Sequence, residues 1–144
     1  MSRMPSGRRP VPTRLHGVLD YVLGALLIGA PWLLGFARGG AETVLPVLLG
    51  AATLGYSVCT DYEPGVARLI PMRVHLALDL AGGALLALSP WLFRFDAAVW
   101  LPHLCLGLLG IGLALGTRKR PSYFPPRRTR RPIPLITRPG SEHR

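Results

Sequence analysis

The chain has 144 residues, 49% of them apolar, a mean hydropathy of +0.34 and a formal net charge of +10. That length allows one compact domain, and the long uncharged runs place it in the membrane class. The two cysteines, Cys59 and Cys105, have no paired spacing. Neither a disulfide framework nor a metal motif follows from them, and they read as small apolar fillers in helices.

Met1 to Thr13 is basic and interrupted by Pro5, Pro10 and Pro12, so residues 1–13 are expected to form an unstructured arm. The apolar run that follows is too long for a secretory signal, so the arm is expected to be retained. A first helix is expected over about 15–36, long enough to cross a hydrocarbon core of about 30 Å. A second, over about 43–60, barely spans and ends at the polar turn Thr60-Asp61-Tyr62-Glu63-Pro64-Gly65. Residues 61–73 form a loop, and two further helices are expected over about 74–93 and 97–116. Thr117 to Arg144 carries nine basic residues and six prolines and is expected to be disordered.

The first helical stretch returns later in the chain. RLHGVLDYVLGALLIGAPWLLGF at 14–36 aligns without a gap with RVHLALDLAGGALLALSPWLFRF at 73–95. The match pairs His16 with His75, Asp20 with Asp79, Gly24 with Gly83, Pro31 with Pro90, Trp32 with Trp91 and Phe36 with Phe95. A fixed offset through a whole segment marks an internal duplication. It extends into the second helix of each copy, where Leu45-Pro46 and Leu101-Pro102 correspond. The first unit covers 14–60 and the second 74–116.

The H-x-x-x-D motif, the glycine four residues on and the closing Pro-Trp-Leu resemble the SPW-repeat family of small bacterial integral membrane proteins. Ser89-Pro90-Trp91 matches the motif in full, whereas the first copy has Ala30 in place of the serine. The resemblance covers roughly 14–116. It implies a membrane protein built from two-helix repeats and supplies no activity. The fold class expected is therefore all-α, with four transmembrane helices as two tandem hairpins.

The basic residues set an orientation. Fifteen flank the N-terminal arm, the middle loop and the tail, against one each, Arg38 and Arg94, in the two short loops. Cytoplasmic segments carry such an excess. Both termini and the middle loop are thus expected in the cytoplasm of a multi-pass protein of the cell membrane. The repeats then run parallel, related by a pseudo-two-fold axis along the membrane normal.

On that topology His16, Asp20, His75 and Asp79 lie near the inner ends of the first and third helices and face inward. An aspartate facing lipid is costly, so each needs a partner. A histidine and an aspartate four apart on a helix are neighbours, and two separate pairs acting as structural staples are one reading. The other brings both pairs together as two imidazoles and two carboxylates, a set able to hold a divalent metal or pass protons.

Pro31 and Pro90 are expected to bend their helices near the outer ends, with Ser89 satisfying a freed carbonyl. Trp32 and Trp91 suit the interfacial aromatic belt. Gly83 to Ala87, Ala51 to Gly55 and Gly112 to Gly116 have the spacing of close helix contacts, to which Gly107 and Gly110 add. The glycine-rich fourth helix lacks the Lys-Ser/Thr ending of a phosphate loop. His103 reads as an interfacial side chain. Asp61, Tyr62 and Glu63 read as the stop of the second helix, with joining a cytoplasmic-side site as the alternative.

The tail residues Arg118, Lys119, Arg120, Arg127, Arg128, Arg130 and Arg131 are expected to lie against anionic lipid headgroups. No folded recognition module accompanies this charge, so nucleic acid is not an expected partner, whereas a second copy or a protein partner is open. No cofactor is implied. With no nucleophile and base constellation, the sequence reads as a structural or interaction module and not as an enzyme. A proton- or metal-linked carrier using His16, Asp20, His75 and Asp79 is the alternative.

Overall fold

The computed structural model describes residues 11–119, and all of their regular structure is helical. Four helices follow in order: α1 Thr13–Leu33, α2 Ala41–Val58, α3 Met72–Leu92 and α4 Leu101–Gly116. The arm before Val11 and the tail after Lys119, including Arg120, Arg127, Arg128, Arg130 and Arg131, lie outside the described residues.

Solvation is inverted relative to a water-soluble bundle. Leu15, Val18, Val22, Leu26, Leu48, Leu78, Leu85, Leu88, Leu108 and Leu109 are exposed, while His16, Asp20, Thr43, Ser57, His75, Asp79, Ser89 and His103 are buried. Apolar side chains pointing outward over this much surface need lipid around them. α1, α2 and α3 are each long and apolar enough to cross a bilayer, and α4 is a shorter apolar helix. The chain is a multi-pass membrane protein.

α1 packs against α2 and α3 against α4, with fewer contacts between these two pairs. Glycines set both close crossings. A Cβ on Gly50 would stand 2.6 Å from the Gly24 carbonyl oxygen, and one on Gly107 would stand 2.5 Å from that of Gly83. Only a residue without a side chain allows backbones to approach so closely. Ala87 meets Gly107 as its spacing from Gly83 suggests, but a Cβ on Gly55 or Gly112 would meet nothing within 4 Å. Those two small-residue steps face outward and do not bring helices together.

Two helix boundaries depart from the sequence reading. α1 stops at Leu33 and not near Phe36, because the chain turns over at Gly35 with φ +71° while Phe36 N–H bonds back to the Pro31 carbonyl. α4 starts at Leu101 and not at Ala97. Ala98 and Val99 both donate to the Phe95 carbonyl in a separate turn. Pro102 then sits in the first turn, where its missing N–H costs nothing.

Val11, expected in the unstructured arm, and Thr117 and Arg118, expected in the tail, are part of the fold. Val11 pairs with the end of α4, donating to the Gly116 carbonyl at 3.1 Å and accepting from Arg118 N–H at 3.1 Å. Ile70 stands 59 residues after Val11 and makes the corresponding link to the end of α2, donating to Cys59 and accepting from Asp61. The entry to each of α1 and α3 is thus stitched to the exit of α4 and α2 respectively. Pro12 and Pro71 follow at once as extended N-caps.

Candidate functional site

Those stitches bring the four repeated ionisable residues into one place. His16 and Asp20 lie on one face of α1, and His75 and Asp79 on one face of α3, each pair one helical turn apart. All four side chains are buried. His16 Nε2 is 3.0 Å from Asp79 Oδ2 and 3.3 Å from Asp20 Oδ2. His75 Nε2 is 2.9 Å from Asp20 Oδ2 and 3.2 Å from Asp79 Oδ2. Each imidazole is nearer the aspartate of the other repeat than its own. The reading of two separate staples gives way to a single alternating ring of two nitrogens and two oxygens, with the imidazoles edge to face at 5.4 Å.

Two threonines to which the sequence reading gave no role in the site fix the ring's protons. Thr60 Oγ1 lies 2.6 Å from the Tyr56 carbonyl oxygen and 2.8 Å from His75 Nδ1. A hydroxyl has one proton, and the carbonyl can only accept, so the threonine accepts from His75 Nδ1–H. Thr117 repeats the arrangement, donating to the Leu113 carbonyl at 2.6 Å and accepting from His16 Nδ1–H at 2.9 Å. With both Nδ1 atoms protonated, each Nε2 meets a carboxylate oxygen across one shared proton. Two imidazoliums with two carboxylates, or the neutral forms of all four, give the same zero net charge.

Thr117 was expected to open a disordered tail and Thr60 to close the second helix. Thr117 instead belongs to the site, and Thr60 lies just past the Cys59 C-cap. The signal for both was in the sequence: each is the first polar residue after an apolar helix, at matching places in the two copies.

The two halves of the ring differ in one respect. Tyr56 donates to Asp79 Oδ1 at 2.5 Å and is itself 3.2 Å from Thr53 Oγ1. The second helices correspond one residue away from the Leu45-Pro46 and Leu101-Pro102 pairing, because Gly50 and Gly107 make the matching crossings and Thr60 and Thr117 bond the Tyr56 and Leu113 carbonyls. Leu113, the counterpart of Tyr56 in that register, has no donor, and no hydrogen bond reaches Asp20 Oδ1 among the described residues. Tyr56 was missed because its copy is a leucine, so the repeat pattern drew no attention to it.

The middle loop closes the end of the bundle next to the ring. Tyr62 is fully buried, 5.3 Å from the His75 ring, and packs with Met72, Leu76 and Ala114. Gly17 makes room for it, since a Cβ there would collide with the Tyr62 ring and Pro64. Burial pushes the Tyr62 hydroxyl above its ordinary range. Glu63 reaches back to accept from Thr13 Oγ1 at 2.7 Å in the first turn of α1. The loop does more than stop the second helix: it covers the ring.

Toward the opposite end, Ser89 Oγ donates to the Leu86 carbonyl at 2.7 Å. That carbonyl is the one Pro90 leaves without its i+4 partner, so the serine replaces the lost bond. In the first copy Ala30 offers no such group to Leu27. Trp32 and Trp91 are exposed, as is Trp100, 6.4 Å from Trp91. His103 does not face outward. It is buried between Phe36 and Phe95 at 5.2 and 4.9 Å, and its Nε2–H donates to the Glu42 carbonyl at 3.0 Å.

The ring's donor set fits a divalent transition ion: one nitrogen or oxygen from each of His16, Asp20, His75 and Asp79, all within 4.8 Å of one another. Tetrahedral bonds of about 2.0–2.1 Å place all four ligand atoms about 3.3 Å from one another, so the ring edges would open slightly while the widest separation, now up to 4.8 Å, would close by more than about 1 Å. The threonine bonds at both Nδ1 atoms orient the imidazoles as outer partners of metal-bound histidines do. No curated protein and no solved structure matches the chain significantly. The SPW repeat domain, however, matches residues 14–117, the segment that runs from the start of α1 to the threonine closing the ring. The chain belongs to the SPW repeat family.

Proposed function

We propose that the chain is a small non-enzymatic module of the cytoplasmic membrane, in which two tandem helical hairpins cross the bilayer four times and are clasped by the His–Asp ring. The observation that carries this reading is the cross-repeat preference of both imidazoles, together with the use of every ring nitrogen. A buried polar network holds a fold when its members are satisfied, and destabilises it when they are not. The Thr60 and Thr117 hydroxyls that stand beside the imidazoles donate to backbone carbonyls and accept from Nδ1–H, so neither imidazole acts on them as a base, which supports a role outside catalysis. The excess of basic residues supports a cytoplasmic ring end with both termini on that side and the tail against anionic headgroups.

The test is Asp20→Asn combined with Asp79→Asn. A clasp loses thermal stability in detergent as the two hairpins come apart. A variant that stays as stable as the parent contradicts the reading.

A proton- or divalent-cation carrier is the second reading, favoured by the convergence of four donor atoms whose charge balance is the same with two protons or one divalent ion. Its test is native mass spectrometry with metal analysis on protein taken from its own membrane, followed by flux in proteoliposomes. A carrier has bound metal or catalyses proton flux that the double asparagine variant abolishes while still folded.

A further inference from the structure

Beside the ring, between the α1–α2 and α3–α4 pairs, lies a cavity of about 300 Å³. Asp20, Asp79, Tyr56 and Thr53 form its polar end, and leucines with glycine and alanine from all four helices form the rest. Two glycines, Gly82 and Gly110, are part of its wall. A Cβ on Gly82 or Gly110 would meet only a leucine methyl, at 3.7 and 3.8 Å. An apolar chamber with a few convergent polar groups at one end is the form that small-molecule sites take.

The broken symmetry of the ring indicates what the polar end recognises. At Asp79 the second carboxylate oxygen accepts from the Tyr56 phenol. At Asp20 the equivalent oxygen has no donor among the described residues, and Leu113 stands where the tyrosine's counterpart would be. Two hydroxyl bonds establish the correspondence, since Thr60 Oγ1 donates to the Tyr56 carbonyl and Thr117 Oγ1 to the Leu113 carbonyl, each at 2.6 Å. Both Asp20 and Leu113 line the cavity. Asp20 is 97% buried, and its remaining oxygen is an acceptor in an apolar chamber, where a matching donor is worth most.

We propose that this cavity binds an apolar phenol-type molecule from the lipid phase, whose O–H donates to Asp20 Oδ1 as Tyr56 donates to Asp79. The phenol class follows from the group that fills the symmetric position. The body of the molecule lies against Leu23, Leu49 and Leu106, with its hydroxyl toward the ring. The site shares Asp20 with the ring but uses its other oxygen, Oδ1, and leaves in place the Oδ2 that faces the imidazoles.

The experiment titrates detergent-solubilised full-length protein with 1-naphthol and with 1-methoxynaphthalene, which has the same rings and no donor. Naphthol is expected to bind saturably and at least about tenfold more tightly than the ether, the factor expected of one hydrogen bond to a carboxylate. Leu113→Tyr supplies the donor from the protein and is expected to abolish naphthol binding while raising the unfolding temperature. Gly110→Leu, which fills the chamber without touching the carboxylate, is expected to abolish it without that rise. Equal affinity for naphthol and its ether, or undiminished naphthol binding in folded Gly110→Leu, overturns the proposal.

Discussion

His75 Nε2 lies 2.9 Å from Asp20 Oδ2, on a different helix 55 residues away, and 3.2 Å from Asp79 Oδ2 one turn along its own helix. The longer-range partner is the closer one. His16 shows the same order, so the ring couples the two copies more than it braces either.

The two aspartates are expected to contribute unequally. Asp79 accepts from Tyr56 and faces both imidazoles, whereas Asp20 faces the imidazoles alone. Removing one member of a buried, hydrogen-bonded charge pair costs about 3–5 kcal/mol. Asp79→Asn is expected to fall in that range and Asp20→Asn below it, measured by reversible unfolding in mixed micelles.

Thr60→Val and Thr117→Val keep shape and remove the acceptor that holds Nδ1–H. Each is expected to cost about 1–3 kcal/mol, the penalty for a buried donor left without a partner. The ¹⁵N resonance of the affected Nδ1, on His75 or His16 respectively, is expected to shift while that of the other histidine stays in place.

Ser89→Ala leaves the Leu86 carbonyl without a partner in an apolar surrounding and is expected to destabilise by about 1 kcal/mol. The first copy offers the reverse experiment. Ala30 is fully buried at the matching position, and Ala30→Ser brings a hydroxyl to the Leu27 carbonyl. A gain of about 0.5–1 kcal/mol is expected in the same unfolding assay.

Gly107→Ala forces a Cβ to within 2.5 Å of the Gly83 carbonyl oxygen and 2.6 Å of the Ala87 nitrogen. Both neighbours are backbone and cannot move aside singly, so a loss of about 2–3 kcal/mol is expected. Gly112→Ala meets nothing within 4 Å and is expected to be neutral or slightly stabilising, by the helix preference of alanine.

Much of the fold was legible because the duplication is written residue for residue. Helix number followed from the apolar runs, and the family from His16/His75, Gly24/Gly83 and the Pro-Trp pairs. The serine's bond to a freed carbonyl followed from the chemistry of proline. Partnership within the ring was not legible, because i,i+4 spacing places His16 beside Asp20 whether or not Asp79 comes closer. Links between the two helix pairs decide that, among them the Val11 and Ile70 stitches and the Tyr56 bond to Asp79, and isolated backbone pairings leave no pattern in side chains. His103 was misread for a related reason: one histidine near a helix start looks the same in an interface as between Phe36 and Phe95, when both phenylalanines come from elsewhere in the chain.

The most direct test of the cross-repeat ring is solid-state NMR of the protein in lipid, with ¹⁵N in histidine and ¹³C in aspartate carboxyls, reading dipolar couplings from each Nε2. Couplings from His16 to Asp79 and from His75 to Asp20 at least as strong as those within each helix are the expected result. Couplings confined to His16 with Asp20 and His75 with Asp79 would contradict it, and would return the molecule to two independent staples.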